Sequence, residues 1–155
     1  MPPESPDSKT QAPPSGNLPE ARKTPDELKA AKETHSPGSS YVEGAEEVTI
    51  FGDPGKPGMY VQLLKCAPGQ RIAAHHHAGD RVATVLSGSW NFGYGEKFDE
   101  AKLQHLPIGS IYTEPDRAPH FAMVGDQTGI VQITGYGPTD TVFVNPDDDP
   151  AKKKS

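Results

Sequence analysis

Gly and Pro cut this chain into pieces too short for long helices. Sixteen glycines and seventeen prolines are spread over 155 residues. From residue 47 onward the apolar runs fall at 47–51, 59–65, 70–76, 81–87, 89–94, 110–113, 120–125, 129–136 and 141–144. Turn signals separate them: Asp53-Pro54-Gly55, Pro57-Gly58, Pro68-Gly69, Ser87-Gly88, Pro107-Ile108-Gly109 and Gly137-Pro138. Closely spaced short runs with such punctuation predict an all-β domain, a sandwich or a barrel. Long helical periodicity is nearly absent. No internal repeat is visible.

Two histidines one residue apart on a strand point to the same side. His75 and His77, in the run His75-His76-His77, therefore suit one metal ion held from one wall of a barrel. His120 follows a Pro-containing turn and begins another apolar run, a suitable place for a third ligand. The competing reading is a polar barrel that has lost its metal. His76 has the opposite parity and is expected outside the ligand set. His35 and His105 are expected at the surface.

The spacing around these histidines resembles that of the cupins. Gly69, five residues, His75-x-His77, three residues, Arg81, six residues and Gly88 follow the first cupin motif, with Arg81 where the motif has Glu. Gly109, five residues, Pro115-Asp116-Arg117, two residues, His120 and three residues to Val124 follow the second. There Arg117 replaces a Gly and Val124 an Asn. The resemblance covers roughly residues 46–145 and implies a cupin double-stranded β-helix, a jelly-roll barrel. It implies one divalent metal ion on His75, His77 and His120. Some cupin oxygenases hold iron on three histidines, so Fe(II) is the first expectation, with Zn, Mn or Ni as alternatives, since imidazole does not select one metal. The resemblance also implies a homodimer.

Without the motif's Glu, three neutral imidazoles leave the full charge of a divalent ion to its open positions, which then favour water, hydroxide or an anionic substrate. Arg81 has no lone pair to offer a metal. It shares parity with His75 and His77, so on a regular strand it faces the cavity. There it is the candidate catalytic residue and anchor for a carboxylate or phenolate. In the other reading Arg81 pairs with Asp80 or Glu114 and only fixes the strand. A register slip would bring Asp80 to the metal instead.

Trp90, Phe92 and Tyr94 alternate along one strand and present an aromatic face, either a wall for a flat substrate or barrel core or dimer face. Tyr112 and Gln132 join them as candidate substrate-binding residues. Tyr60 and Tyr136 are further polar groups whose face the sequence does not set. Cys66 reads as a small core residue, because no base for thiol chemistry can be placed beside it. As the single cysteine it also makes no internal disulfide.

The organisation expected is a Pro/Ser-rich flexible arm over 1–44, a cupin domain over 45–146 and a charged tail over 147–155. Within the arm, Thr24-Pro25-Asp26-Glu27 predicts a capping box opening a short helix over 25–34. Asp99 is expected to cap a helical turn over 100–105. A formal charge of −6 gives no reason to expect nucleic acid. No run is long enough to span a bilayer, and MPPESPDSK lacks the features of a signal peptide, so a cytoplasmic protein is expected. There is no phosphate-binding Gly loop, Cys-x-x-Cys pair or nucleophile-elbow serine.

The function expected is a mononuclear metal enzyme, first an iron-dependent oxygenase acting on a small anionic or aromatic substrate. A zinc-dependent isomerase or hydrolase and a non-catalytic ligand-binding or sensing cupin are the alternatives.

Overall fold

The computed structural model describes residues 18–152. The expectations for residues 1–17 and for Lys153 and Lys154 lie outside the described residues. Ten strands follow in chain order: β1 (Ala45–Phe51), β2 (Gly58–Cys66), β3 (Arg71–His76), β4 (Arg81–Ser87), β5 (Trp90–Tyr94), β6 (Gln104–Leu106), β7 (Ile111–Glu114), β8 (His120–Val124), β9 (Gly129–Gly137) and β10 (Val142–Phe143). They form two five-stranded sheets, ordered β1-β2-β9-β4-β7 and β10-β3-β8-β5-β6, with antiparallel pairing throughout. The all-β architecture expected from the turn spacing is the one observed.

Period-two alternation sorts the side chains. Along β4, Arg81, Ala83 and Val85 are buried while Val82 and Leu86 face out. Along β7, Tyr112 and Glu114 are buried while Ile111 is exposed. Cys66, Val85, Val131, Trp90 and Val124 fill one end of the space between the sheets. Toward the other end the inward positions become His75, His77, Arg81, Glu114 and His120, all buried. The polar end is thus the continuation of the apolar core by two or three residues along each strand.

β3 needs one irregularity to do this. Ile72 pairs with Ala122 and His75 with His120, so the register shifts between them. Ala73 and Ala74 together oppose the single residue Phe121. Such a bulge reverses parity, which lets Ile72 and His75 both face the interior. Small alanines suit the crowded bend.

Two local expectations change. The helix expected over 25–34 is α1 (Pro25–Ala30), with both bonds of the Thr24–Glu27 capping box present. It buries no residue, so nothing beyond the cap extends it. The turn expected over 100–105 is a single 3₁₀ turn, Glu100–Lys102, whose end Asp99 caps by accepting from the Ala101 N–H at 3.0 Å. The chain then goes extended, and β6 pairs Leu106 with Trp90 instead of continuing a helix.

Residues 34–42 lie against the barrel, although their composition resembles that of the preceding arm. Thr34 donates its backbone N–H to the Glu47 carbonyl at 2.9 Å. Gly38, Ser39 and Ser40 are buried. The buried Glu47 carboxylate gathers this strap. It accepts from the Thr34 hydroxyl at 2.7 Å, the Ser36 N–H at 2.8 Å, the Thr49 hydroxyl at 2.7 Å and Gln62 Nε2 at 2.9 Å. Gln62 Nε2 also donates to the Pro37 carbonyl at 3.0 Å.

Candidate metal centre

His75 is the second-last residue of β3 and His120 opens β8, and the two are directly paired across the ladder. His77 follows β3 by one residue. The three imidazoles converge, with ring centroids 4.4–5.2 Å apart. One ligand nitrogen from each lies within 4.8 Å of the others.

The protein also sets which nitrogen faces the centre. His75 Nδ1 lies 2.7 Å from the Ala73 carbonyl, His77 Nδ1 2.7 Å from the Asp140 carbonyl and His120 Nδ1 3.2 Å from the Ala118 carbonyl. A carbonyl only accepts, so each Nδ1 carries the proton and donates it. Each Nε2 is left with a bare lone pair, the tautomer a metal requires. The rings are neutral. Burial pushes His75 down to about 3, with repulsion from His120 adding to it. Burial likewise holds His77 and His120 below the ordinary histidine range. His77 Nε2 and His120 Nε2 are buried with no hydrogen-bond partner. Orphaned, convergent, neutral imidazole nitrogens fit a divalent cation.

Arg81 lines the same cavity. Its Nε donates to Glu114 Oε1 at 2.8 Å and its second terminal nitrogen meets the same oxygen at 2.8 Å. The remaining terminal nitrogen donates to the Gly38 carbonyl of the strap at 3.0 Å. Both sequence readings of this residue therefore hold part of the truth: it faces the cavity, and it is paired with Glu114. Arg81 and Glu114 are cross-strand partners in the β4–β7 register. Burial pushes the Glu114 carboxyl up, but the charge and hydrogen bond of Arg81 together with the neighbouring His120 and His75 bring it below the usual carboxylate range.

Glu114 also changes the charge expected at the centre. The sequence reading had no carboxylate there because the motif position holds Arg81. Glu114 supplies one from the neighbouring strand, 3.5 Å from His77 Nε2 and 3.4 Å from His120 Nε2. With both imidazoles held neutral, these are not ion pairs. The guanidinium and carboxylate charges cancel, so a bound ion would still present an unbalanced charge to its open positions. The signal for Glu114 is its parity with Tyr112, two residues earlier.

Trp90, Phe92 and Tyr112 line the cavity, with the Phe92 and Tyr112 rings 4.1 Å apart and Phe92 5.5 Å from His120. The other two candidate substrate residues are placed elsewhere. Tyr94 is at the rim, 48% exposed, and donates its hydroxyl to the Thr113 carbonyl at 2.6 Å. Gln132 alternates with buried Val131 and Ile133 and faces out, since β9 puts its odd-numbered residues inside. Asp80 is held at the surface, accepting the Asp116 N–H at 2.8 Å, so the register slip does not occur. His76 turns to Arg117, 3.3 Å away, and His105 is exposed.

Arg117 explains a departure from the second motif. Its φ is +58°, the left-handed region that favours glycine. Its guanidinium grips both oxygens of Asp140, at 2.9 and 2.7 Å, and the Asp140 carbonyl orients His77. A side-chain clamp offsets the backbone cost that a glycine would avoid.

Gly38 and Ser40 of the strap complete the lining, and about 20 Å³ of free space remains. That is room for an ion or one water and nothing larger.

No family model matches the sequence, and no curated protein matches it. The structure is similar to solved cupin folds. The polyketide cyclase RemF from Streptomyces resistomycificus superposes with a TM-score of 0.58 at 19% identity, over 81% of this chain and 89% of that one. The DMSP lyase DddQ from Ruegeria pomeroyi gives 0.62 at 16% identity, over 77% and 64%. Salicylate 1,2-dioxygenase from Pseudoaminobacter salicylatoxidans, solved as adducts with gentisate, gives 0.54 at 13% identity. That match takes in 66% of this chain but only 30% of the dioxygenase. At these identities the likeness establishes the cupin fold. Among the described residues no helix is long and apolar enough to cross a membrane.

Proposed function

We propose that this protein is a mononuclear metal-dependent enzyme, first an Fe(II)-dependent oxygenase, acting on a small anionic or aromatic molecule. The observation that carries this reading is the convergence of three neutral imidazoles with their Nε2 lone pairs turned to one buried point. His75, His77 and His120 would hold the ion. A bound divalent ion supplies Lewis acidity and open positions for substrate, and iron adds redox chemistry with dioxygen. The chain's own residues do the rest. The Ala73, Asp140 and Ala118 carbonyls hold the ligand tautomers. Phe92, Trp90 and Tyr112 give the cavity an apolar wall suited to a flat ring. Arg81 holds Glu114 beside the centre and ties the strap to it through the Gly38 carbonyl. Dioxygenase, lyase and cyclase neighbours show how varied the chemistry on this scaffold is, so the reaction class rests on the site.

The test is elemental analysis of the purified protein, followed by oxygen uptake against phenols, diketones and small thiols. Stoichiometric iron with uptake on one class supports the oxygenase. Zinc, Mn or Ni with no uptake removes it and leaves hydrolysis or isomerisation. One observation favours the non-catalytic alternative: the strap leaves no room for a substrate, as a closed sensor would.

A homodimer belongs to the same proposal. The outer face of β4 and β7 exposes Val82, Leu86 and Ile111, an apolar surface beside an unpaired edge strand. Light scattering should give twice the chain mass, and Ile111→Lys should give the monomer. A monomeric parent at high concentration removes the dimer.

A further inference from the structure

The cupin spacing places its carboxylate on the strand that here carries Arg81, and nothing in that spacing assigns a role to Glu114. The geometry around Glu114 does. Its Oε1 is 3.5 Å from His77 Nε2 and 3.4 Å from His120 Nε2. Both nitrogens are acceptors, because their protons sit on Nδ1 and point at backbone carbonyls. Glu114 Oε1 accepts from Arg81 Nε and faces its terminal nitrogen, both at 2.8 Å, so it too is an acceptor. Three lone-pair donors thus face one another inside a buried cavity, with no hydrogen between them. Acceptors do not hold such an arrangement against one another unless a cation lies between.

Arg81 does not remove the conflict. It approaches Glu114 from the β4 side, and both of its contacts are to Oε1. The same oxygen also lies 3.5 Å from His77 Nε2 and 3.4 Å from His120 Nε2. Arg81 is itself fixed by the Gly38 carbonyl, so it acts as a rigid brace for the carboxylate.

We infer that Glu114 is a fourth protein ligand of the centre, delivered from β7 instead of β4. The inference rests on the metal reading above and adds the ligand set to it. Arg81 and Glu114 are paired residue to residue, so the carboxylate lies one step of the ladder from the motif position and the residue at that position orients it. In this arrangement Arg81 is a positioning residue, and its charge is directed at the ligand more than at a substrate.

Cobalt(II) is the probe, because its visible absorption reports ligand number and type. The parent chain, Glu114→Gln and Glu114→Asp are titrated with Co(II) in competition with a chromophoric chelator. Circular dichroism checks the fold of each. Gln keeps the shape and loses the charge, and Asp keeps the charge but withdraws it by one methylene. Tenfold or weaker affinity in both variants, with a changed Co(II) spectrum, supports ligation. Parent-like affinity and an unchanged spectrum in a folded variant overturn the inference, and Glu114 is then only the ion-pair partner of Arg81. Should Glu114→Gln fail to fold, Glu114→Asp alone decides. If the parent binds no Co(II) under conditions where it is folded, the three-histidine centre falls and the role of Glu114 falls with it. That outcome is distinct from loss of the fourth ligand alone.

Discussion

Arg81→Met is the substitution whose consequence can be worked out furthest. Met keeps most of the side-chain length, so the change removes charge and hydrogen bonds without opening a large cavity. Three contacts disappear: two to Glu114 Oε1, each 2.8 Å, and one to the Gly38 carbonyl at 3.0 Å. Glu114 and Gly38 are buried. Removing one partner of a buried pair leaves the other charge uncompensated, which costs about 3–5 kcal/mol. The orphaned carbonyl adds about 1–3 kcal/mol if no water reaches it. A total of roughly 4–8 kcal/mol is a large share of the roughly 5–15 kcal/mol that holds a domain folded. At about 3 °C per kcal/mol for a chain of this size, the melting temperature should fall by roughly 12–24 °C. Urea denaturation followed by circular dichroism, on metal-free protein at neutral pH, measures it. Arg81→Met combined with Glu114→Gln should recover at least about 2 kcal/mol of the single-variant loss, because the stranded charge has gone. Saturating metal should also stabilise Arg81→Met more than the parent, since the ion replaces the missing positive charge at Glu114. A loss under about 1 kcal/mol for Arg81→Met, with the native spectrum retained, would refute the reasoning. The pair would then be solvated and its burial immaterial.

Three further outcomes follow from the site and the strap. His75→Ala, His77→Ala and His120→Ala should each sharply reduce metal content while the barrel stays folded; full occupancy in His120→Ala would sink the three-ligand centre. The metal-free protein should lose stability as pH falls below about 6.5, the unfolded histidine value, toward about 3, the value to which burial drives His75. The sign follows from proton counts: in that window the unfolded chain binds protons that buried His75, His77 and His120 refuse, so acid favours unfolding. The slope reaches about 4 kcal/mol per pH unit if all three take part, and a flat profile between pH 6.5 and 4 would show that they titrate normally. Deletion through Glu33 should leave the barrel's melting temperature nearly unchanged. Deletion through Val42 should lower it by several degrees, because Gln62, Thr49 and a buried Glu47 lose their partners; equal melting temperatures would show that the strap does not contribute.

The barrel and the three histidines were legible because both rest on short-range periodicity. Turn residues set strand ends, and parity put His75 and His77 on one side. That inference survived the β3 bulge only because the irregularity falls before His75, not between the two ligands. What was not legible depends on contacts distant in sequence. Glu114 was legible only as one of two possible partners of Arg81, beside Asp80, and the β4–β7 register is what sets it opposite Arg81 and beside the histidines. Parity along one strand likewise grouped Tyr94 with Phe92, but not how far up the barrel wall the strand carries it. Gln132 was chosen for polarity alone, and alternation with Val131 and Ile133 turns it outward. The strap is the least legible part. Its Ser, Gly and Pro content resembles that of a solvated arm, and only the buried Glu47 reveals that its backbone is bound.

The strap also sets how an affinity for this protein should be understood. Gly38 and Ser40 line a cavity with room for little more than one water, so for any ring-sized ligand that must displace them the strap acts as a covalently attached competitor. Such a competitor is not diluted, and its effective concentration is set by the few residues between Ser40 and β1. A ligand then binds only the fraction of molecules whose strap has lifted, and its apparent dissociation constant exceeds the intrinsic one by the inverse of that fraction. If one molecule in a hundred is open, a contact set worth micromolar binding registers at about a hundred micromolar. A weak hit against the intact chain therefore understates the complementarity of the cavity beneath it, and ranking candidate substrates by affinity ranks their ability to displace Gly38 together with their fit.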